Sequence, residues 1–245
     1  MMTAITGERR AVGELGAYVA RPTGSEPAGG MLLLPMITGI GPQLRAYADA
    51  IAATGVTALS WDPWHGHSIE DRSGEELFEL MAQLTDSGVH EEQSQLLDHM
   101  FDELGLERVG VIGWCMGGRF ALLLAAHDHR LANCVAYHPT IPAEPAPNHT
   151  EDPVALAARI TAPVSVVYPG ADHLVPRSVF TALRETLESR PDAATNVSLY
   201  PHAEHGFMDA ARRDQDHNRE PARQSWAQTL AFIGTTVGER ATQRV

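Results

Sequence analysis

Two cysteines, twelve histidines and thirty-one acidic side chains are the groups in this chain able to move protons or attack carbon. Cys115 stands out by its setting. It lies in Gly113-Trp114-Cys115-Met116-Gly117-Gly118, between the apolar run Val109-Gly110-Val111-Ile112 and the small-residue apolar segment Phe120 to Ala126. Glycines two before and two after a central residue suit a turn so tight that neighbouring backbone must pass in contact with it. A strand–turn–helix of this kind lifts the central side chain above the sheet and sets it at a helix N-terminus. There the helix dipole and free N–H groups favour a thiolate. The chemistry to expect is attack by sulfur. Cys134, in the apolar run Cys134 to Tyr137, lacks that context and reads as a packed core side chain.

A thiol nucleophile needs a base, and the base needs an orienting group. Asp172 follows the strand candidate Val164 to Tyr168, in Pro169-Gly170-Ala171-Asp172-His173-Leu174-Val175-Pro176. His205 follows the strand candidate Val197 to Tyr200, in Pro201-His202-Ala203-Glu204-His205-Gly206-Phe207. The separations, 172 − 115 = 57 and 205 − 172 = 33 residues, leave room for a strand and a helix between each pair. Asp172 alone reads equally well as a turn residue or helix cap, and His205 alone as a surface histidine. Placed after successive strands that follow a tight turn, the two become partners for Cys115.

The elements that must position them alternate along the chain. Strand candidates are Met31 to Leu34, Val56 to Trp61, Val109 to Ile112, Cys134 to Tyr137, Val164 to Tyr168 and Val197 to Tyr200. Helical patterns cover Pro42 to Thr54, Val89 to Leu104, Phe120 to Ala126, Arg177 to Ser189 and Pro221 to Gly234. Arg9 to Ala20 supplies one or two edge strands. The pattern predicts a mostly parallel central sheet with helices on both faces, in a single domain over residues 1–245. Pro139 to Pro153 is the one long loop, placed to cap a site.

Composition excludes several functions. Eighteen basic against thirty-one acidic residues leave a net charge of −13, which disfavours nucleic acid and anionic membrane as partners. Lysine is absent, which removes Schiff-base and P-loop chemistry. Two cysteines make neither a disulfide framework nor a cysteine-rich zinc site. His65 and His67 lack further ligands at close spacing, so no metal and no cofactor are expected. No apolar run approaches a membrane span, and Met1 to Arg10 has no signal-peptide stretch. The expectation is a cytoplasmic monomer or homodimer.

The Cys115 turn, Gly170-Ala171-Asp172-His173-Leu174-Val175-Pro176 and Tyr200-Pro201-His202-Ala203-Glu204-His205-Gly206-Phe207 together resemble the dienelactone hydrolase family of α/β-hydrolases. Element order agrees from about Gly13 to Gly234. The resemblance implies an α/β-hydrolase fold and cleavage of a small-molecule ester or lactone. It makes Cys115 the nucleophile, His205 the general base and acid, and Asp172 the orienter. The backbone N–H groups of Ile37 and Met116 would form the oxyanion hole.

Two departures follow. Met36 stands where the family carries a glutamate that holds the resting thiol. The expectation from that alignment is that Cys115 rests as a thiolate beside protonated His205. Second, His205 is followed by Gly206-Phe207-Met208-Asp209, and no arginine lies between Arg72 and Arg108. The arginines that hold a substrate carboxylate in the family are thus missing. Arg119 reads as an ion-pair or surface residue, and Arg212 and Arg213 as a solvated pair. A neutral substrate is expected. Met36, Tyr137 and His138 are candidate pocket residues, packing being an equal reading for the tyrosine. The Trp61-Asp62-Pro63-Trp64-His65-Gly66-His67-Ser68 turn is read as structural. The departures also leave open a second reading, an α/β-hydrolase that binds a small molecule without turnover. A redox role lacks a resolving cysteine.

Overall fold

Gly30–Leu34, Thr57–Trp61, Val109–Trp114 and Cys134–Tyr137 are short runs buried at every position, as strands covered on both faces must be. The computed structural model describes residues 4–24 and 26–238. These four runs are β3, β4, β5 and β6. They are preceded by β1 (Ile5–Val12) and β2 (Leu15–Pro22), and followed by β7 (Val164–Pro169) and β8 (Thr195–Tyr200). One sheet results, in the order β1-β2-β4-β3-β5-β6-β7-β8. Pairing is parallel from β4 through β8. The N-terminal hairpin β1/β2 adds an antiparallel edge, turning at Gly13 with φ 59°.

Alternate strand residues feed two cores. Leu32, Leu34, Val111, Cys134 and Ala136 pack with α3 (Asp86–Asp98), α4 (Met116–His127) and α6 (Arg177–Glu188). Met31, Leu33, Ile112, Val135 and Tyr137 pack with α1 (Pro42–Ala52) and α7 (Asp216–Thr236). Helices therefore cover both faces, and the architecture is the α/β-hydrolase fold. Among the described residues no helix is long and apolar enough to cross a membrane.

The helices differ from the sequence reading in several places. α4 begins at Met116, directly after the cysteine, rather than at Phe120. α7 begins five residues before Pro221. A proline there lacks one helical N–H, but the first turn is held from outside: Asn218 Oδ1 accepts from the Glu204 N–H at 3.2 Å. A helix without counterpart in the reading, α2 (Gly74–Met81), precedes α3. Its sequence signal was the capping box Ser73-Gly74-Glu75-Glu76, in which the Ser73 and Glu76 side chains each accept from the other's backbone N–H. A short helix, α5 (Pro153–Leu156), closes the Pro-rich loop.

Candidate active site

Parallel strands end at a common rim. The register pairs Leu34 with Gly113, Trp114 with Tyr137 and Pro169 with Tyr200. The loops that follow carry Ile37, Cys115, Thr140, Asp172 and His205 to that rim.

Cys115 has φ 55° and ψ −117°, a strained conformation for a residue with a side chain. The glycines around it are required by contact. A Cβ on Gly113 would collide with the Gly117 carbonyl oxygen, and one on Gly117 with that of Leu34. The second approach draws the loop after β3, with Ile37, against the start of α4. The chain after β6 clasps the cysteine from the other side. The Cys115 N–H donates to the Tyr137 carbonyl at 3.0 Å, and the Thr140 N–H donates to the Cys115 carbonyl at 3.0 Å. His138, at φ 34°, makes the bend between these two bonds.

The predicted set comes together. His205 Nδ1 lies 2.8 Å from Asp172 Oδ2. Asp172 Oδ1 accepts from the Leu174 and Val175 N–H groups at 2.8 and 3.1 Å, so this aspartate is both a turn residue and the imidazole's partner. The Thr140 hydroxyl donates to Cys115 Sγ at 3.1 Å and lies 3.4 Å from His205 Nε2. Burial pushes the Cys115 thiol up. A hydrogen bond and charge from His205, with smaller help from Thr140 and the Met116 N–H, outweigh it and leave the thiol below its ordinary value. Burial pushes His205 down, but hydrogen bonds to Asp172 and Cys115 carry it up to about 9. Opposite shifts of this kind favour a thiolate–imidazolium pair.

A cavity of about 120 Å³ opens above the sulfur. Ile37, Met116, Phe120 and Leu174 are among its apolar lining. Phe78 and Met81 reach it from α2. Asn148 fastens the Pro-rich loop to that helix by donating to the Met81 and Leu84 carbonyls at 3.2 and 2.8 Å. Arg119 is the formal cation in the lining, and it is already occupied. Its guanidinium makes two bonds to buried Asp86, at 2.6 and 2.9 Å, and one to the Glu151 carbonyl. His149, also in the lining, is held below the ordinary imidazole value by burial and by Arg119. Among the described residues no carboxylate lines the cavity. A larger cleft of about 370 Å³ shares Arg119 and His149 but is not lined by Cys115, and His205 lines neither space, lying behind the sulfur and Thr140.

Ile37 and Met116 thus border the sulfur, whereas Met36, Tyr137 and His138 do not line the cavity. Strand alternation sends Tyr137 to the α7 face, where its hydroxyl meets Thr229 at 2.7 Å. Met36 packs in the same cluster as Trp114. His138 is fully buried, and its ring stands edge to face on His205 with centroids 4.8 Å apart. Among the described residues neither of its ring nitrogens has a hydrogen-bond partner, and burial and then the His205 charge push it well below the ordinary imidazole value. The Trp61–Ser68 turn is a brace: Asp62 accepts from the Trp64 and Gly66 N–H groups, and Trp64 Nε1 donates to the Ile37 carbonyl at 2.8 Å. Arg212 pairs with Glu204 at the surface. Thr140, Phe78 and Met81 went unnoticed in the sequence. The capping box could have found the last two; no local pattern marks Thr140.

Residues 15–237 match the Dienelactone hydrolase family. A carboxymethylenebutenolidase of Rhodococcus opacus is 28% identical over 207 residues, covering 83% of this chain and 79% of that protein. A protein of Escherichia coli (strain K12), provisionally assigned as a carboxymethylenebutenolidase, is 26% identical over 234 residues, or 92% of this chain and 84% of its own. A solved Klebsiella pneumoniae structure, provisionally assigned as a dienelactone hydrolase, superposes with a TM-score of 0.82 at 25% identity, covering 95% of this chain and 99% of that one. The match spans the rim loops that carry Ile37, Cys115, Thr140, Asp172 and His205. The chain belongs to the dienelactone hydrolase family, hydrolases of the α/β-hydrolase fold.

Proposed function

We propose that this protein hydrolyses neutral, apolar esters or lactones through a thioester formed on Cys115. The thiolate attacks the carbonyl carbon, and the electron pair displaced onto oxygen is met by the Ile37 and Met116 N–H groups. Donors fixed where charge appears only in the transition state are worth about 3 kcal/mol each. Collapse breaks the carbon–oxygen bond, and the departing alkoxide takes the proton from His205 Nε2. Water then attacks the thioester and gives a proton to the same nitrogen. The sulfur leaves as thiolate, and the resting ion pair is restored. Asp172 keeps the other ring proton on Nδ1 throughout.

The observation that carries this reading is the Asp172–His205 pair, 2.8 Å apart, beside a sulfur raised on a strained turn. A neutral substrate is supported by the cavity lining, whose arginine is already paired with Asp86. Hydrolysis of p-nitrophenyl butyrate by the wild type and by Cys115→Ala tests it. The expected loss is at least about a thousandfold. Equal rates would remove the reading. A wild type that binds such esters without turning them over would favour a binding role. An ester bearing a free carboxylate on its acyl chain is expected to be the poorer substrate.

A further inference from the structure

Sulfur is a weak hydrogen-bond acceptor as a thiol and a strong one as a thiolate, so a donor aimed at it favours the charged form. In the cavity above Cys115 such donors are few. The lining is mostly apolar, among the described residues no carboxylate reaches it, and Arg119 is turned to Asp86. Asn148 is tied to the Met81 and Leu84 carbonyls, and Thr140 supplies the hydroxyl aimed at the sulfur. Its hydroxyl donates to Sγ at 3.1 Å, while its backbone N–H donates to the Cys115 carbonyl at 3.0 Å. Two bonds to one residue fix the hydroxyl relative to the sulfur more tightly than a rotamer choice alone would. The same oxygen is 3.4 Å from His205 Nε2, so it neighbours both partners of the proton exchange.

We propose that Thr140 is a positioning residue for Cys115, its hydroxyl holding and orienting the resting sulfur toward the cavity. The inference deepens the reading of Cys115 as nucleophile and rests on it for its meaning, though its test does not depend on turnover. The group that faces the sulfur most directly is His205, itself acted on by Asp172 and by neutral His138. Arg119, paired with Asp86, and His149 complete the titratable groups around the cavity. Removing one neutral hydroxyl from this set leaves all of those in place.

The experiment is the pH dependence of Cys115 alkylation by iodoacetamide, in which a carbon–sulfur bond forms and iodide leaves. It is followed by mass spectrometry on the intact protein, and thermal unfolding confirms that each variant is folded. Thr140→Val keeps the shape and removes the hydroxyl. It is expected to raise the alkylation midpoint by about one pH unit, equivalent to a tenfold change in thiolate population. Thr140→Ser is expected to restore it, and Thr140→Ala to repeat the valine result. An unchanged midpoint in Thr140→Val overturns the proposal, as does a serine variant that behaves like valine. If the midpoint moves but Cys115→Ala still hydrolyses esters at the wild-type rate, the hydrolytic reading fails and this one stands.

Discussion

The two cysteines are the same functional group in opposite surroundings. Cys134 lies in β6, fully buried, with its Sγ donating to the Ala121 carbonyl at 3.4 Å, and burial pushes its thiol up to about 12. Cys115, half-buried, is pushed up by burial too, but it meets an imidazole, a hydroxyl and a helix N–H that more than compensate. Desolvation alone disfavours the thiolate, and donors aimed at the sulfur act against that penalty. The histidines repeat the lesson. His138 and His205 stand 4.8 Å apart, yet only His205 has a carboxylate and a sulfur beside its ring nitrogens, so one is driven down and the other up to about 9.

The sharpest way to break this contrast is Asp172→Asn. Asparagine keeps an oxygen for the Leu174 and Val175 N–H groups but presents an N–H to Nδ1, which inverts the ring's tautomer. Ester hydrolysis is expected to fall about 10³- to 10⁴-fold while the melting temperature stays near that of the wild type. Next in size is labelling: at pH 7, iodoacetamide is expected to modify Cys115 at least about a hundredfold faster than Cys134, read by peptide mass spectrometry. Comparable rates would dissolve the contrast.

A smaller effect is expected at His205. In Cys115→Ala the ring loses a hydrogen bond and a negative neighbour that favoured its charged form, so its pKa, followed by NMR, drops from about 9 toward the ordinary value. Because the folded-state value exceeds the unfolded one, the raised pKa stabilises the native state fully below about pH 6.5, and this contribution is lost as pH rises through about 9. The loss is expected to shrink in the variant, which denaturation across that range checks. The smallest effect belongs to Cys134→Ala. It should cost about 1 kcal/mol in urea unfolding and change kcat/KM by no more than about twofold.

Much of the site was legible because its signals are local. Glycines flanking Cys115 announce a backbone that side chains elsewhere would block, and the loops with Asp172 and His205 each follow a short apolar strand. The placement of other residues was not legible for the same reason. Tyr137 and His138 end a strand on the right rim, but which face a strand residue takes depends on register against neighbours. The alternation of β6 turned Tyr137 to α7, and after the bend the buried ring of His138 stands edge to face on that of His205. Met36 gives no local hint that it packs in the cluster with Trp114 rather than lining the cavity.

What the sequence by itself determined is the order of elements, the tight turn at Cys115 and the loops that carry Asp172 and His205. Each rests on short-range rules: apolar runs, glycine geometry and strand–helix spacing. What only the tertiary structure decided is the environment those groups share. A hydroxyl from residue 140 reaches a sulfur at 115, α2 and the Pro-rich loop enclose the cavity, and Arg119 is neutralised by Asp86. Those contacts join residues far apart in the chain, and hydrogen bonds and charges act through space rather than along it.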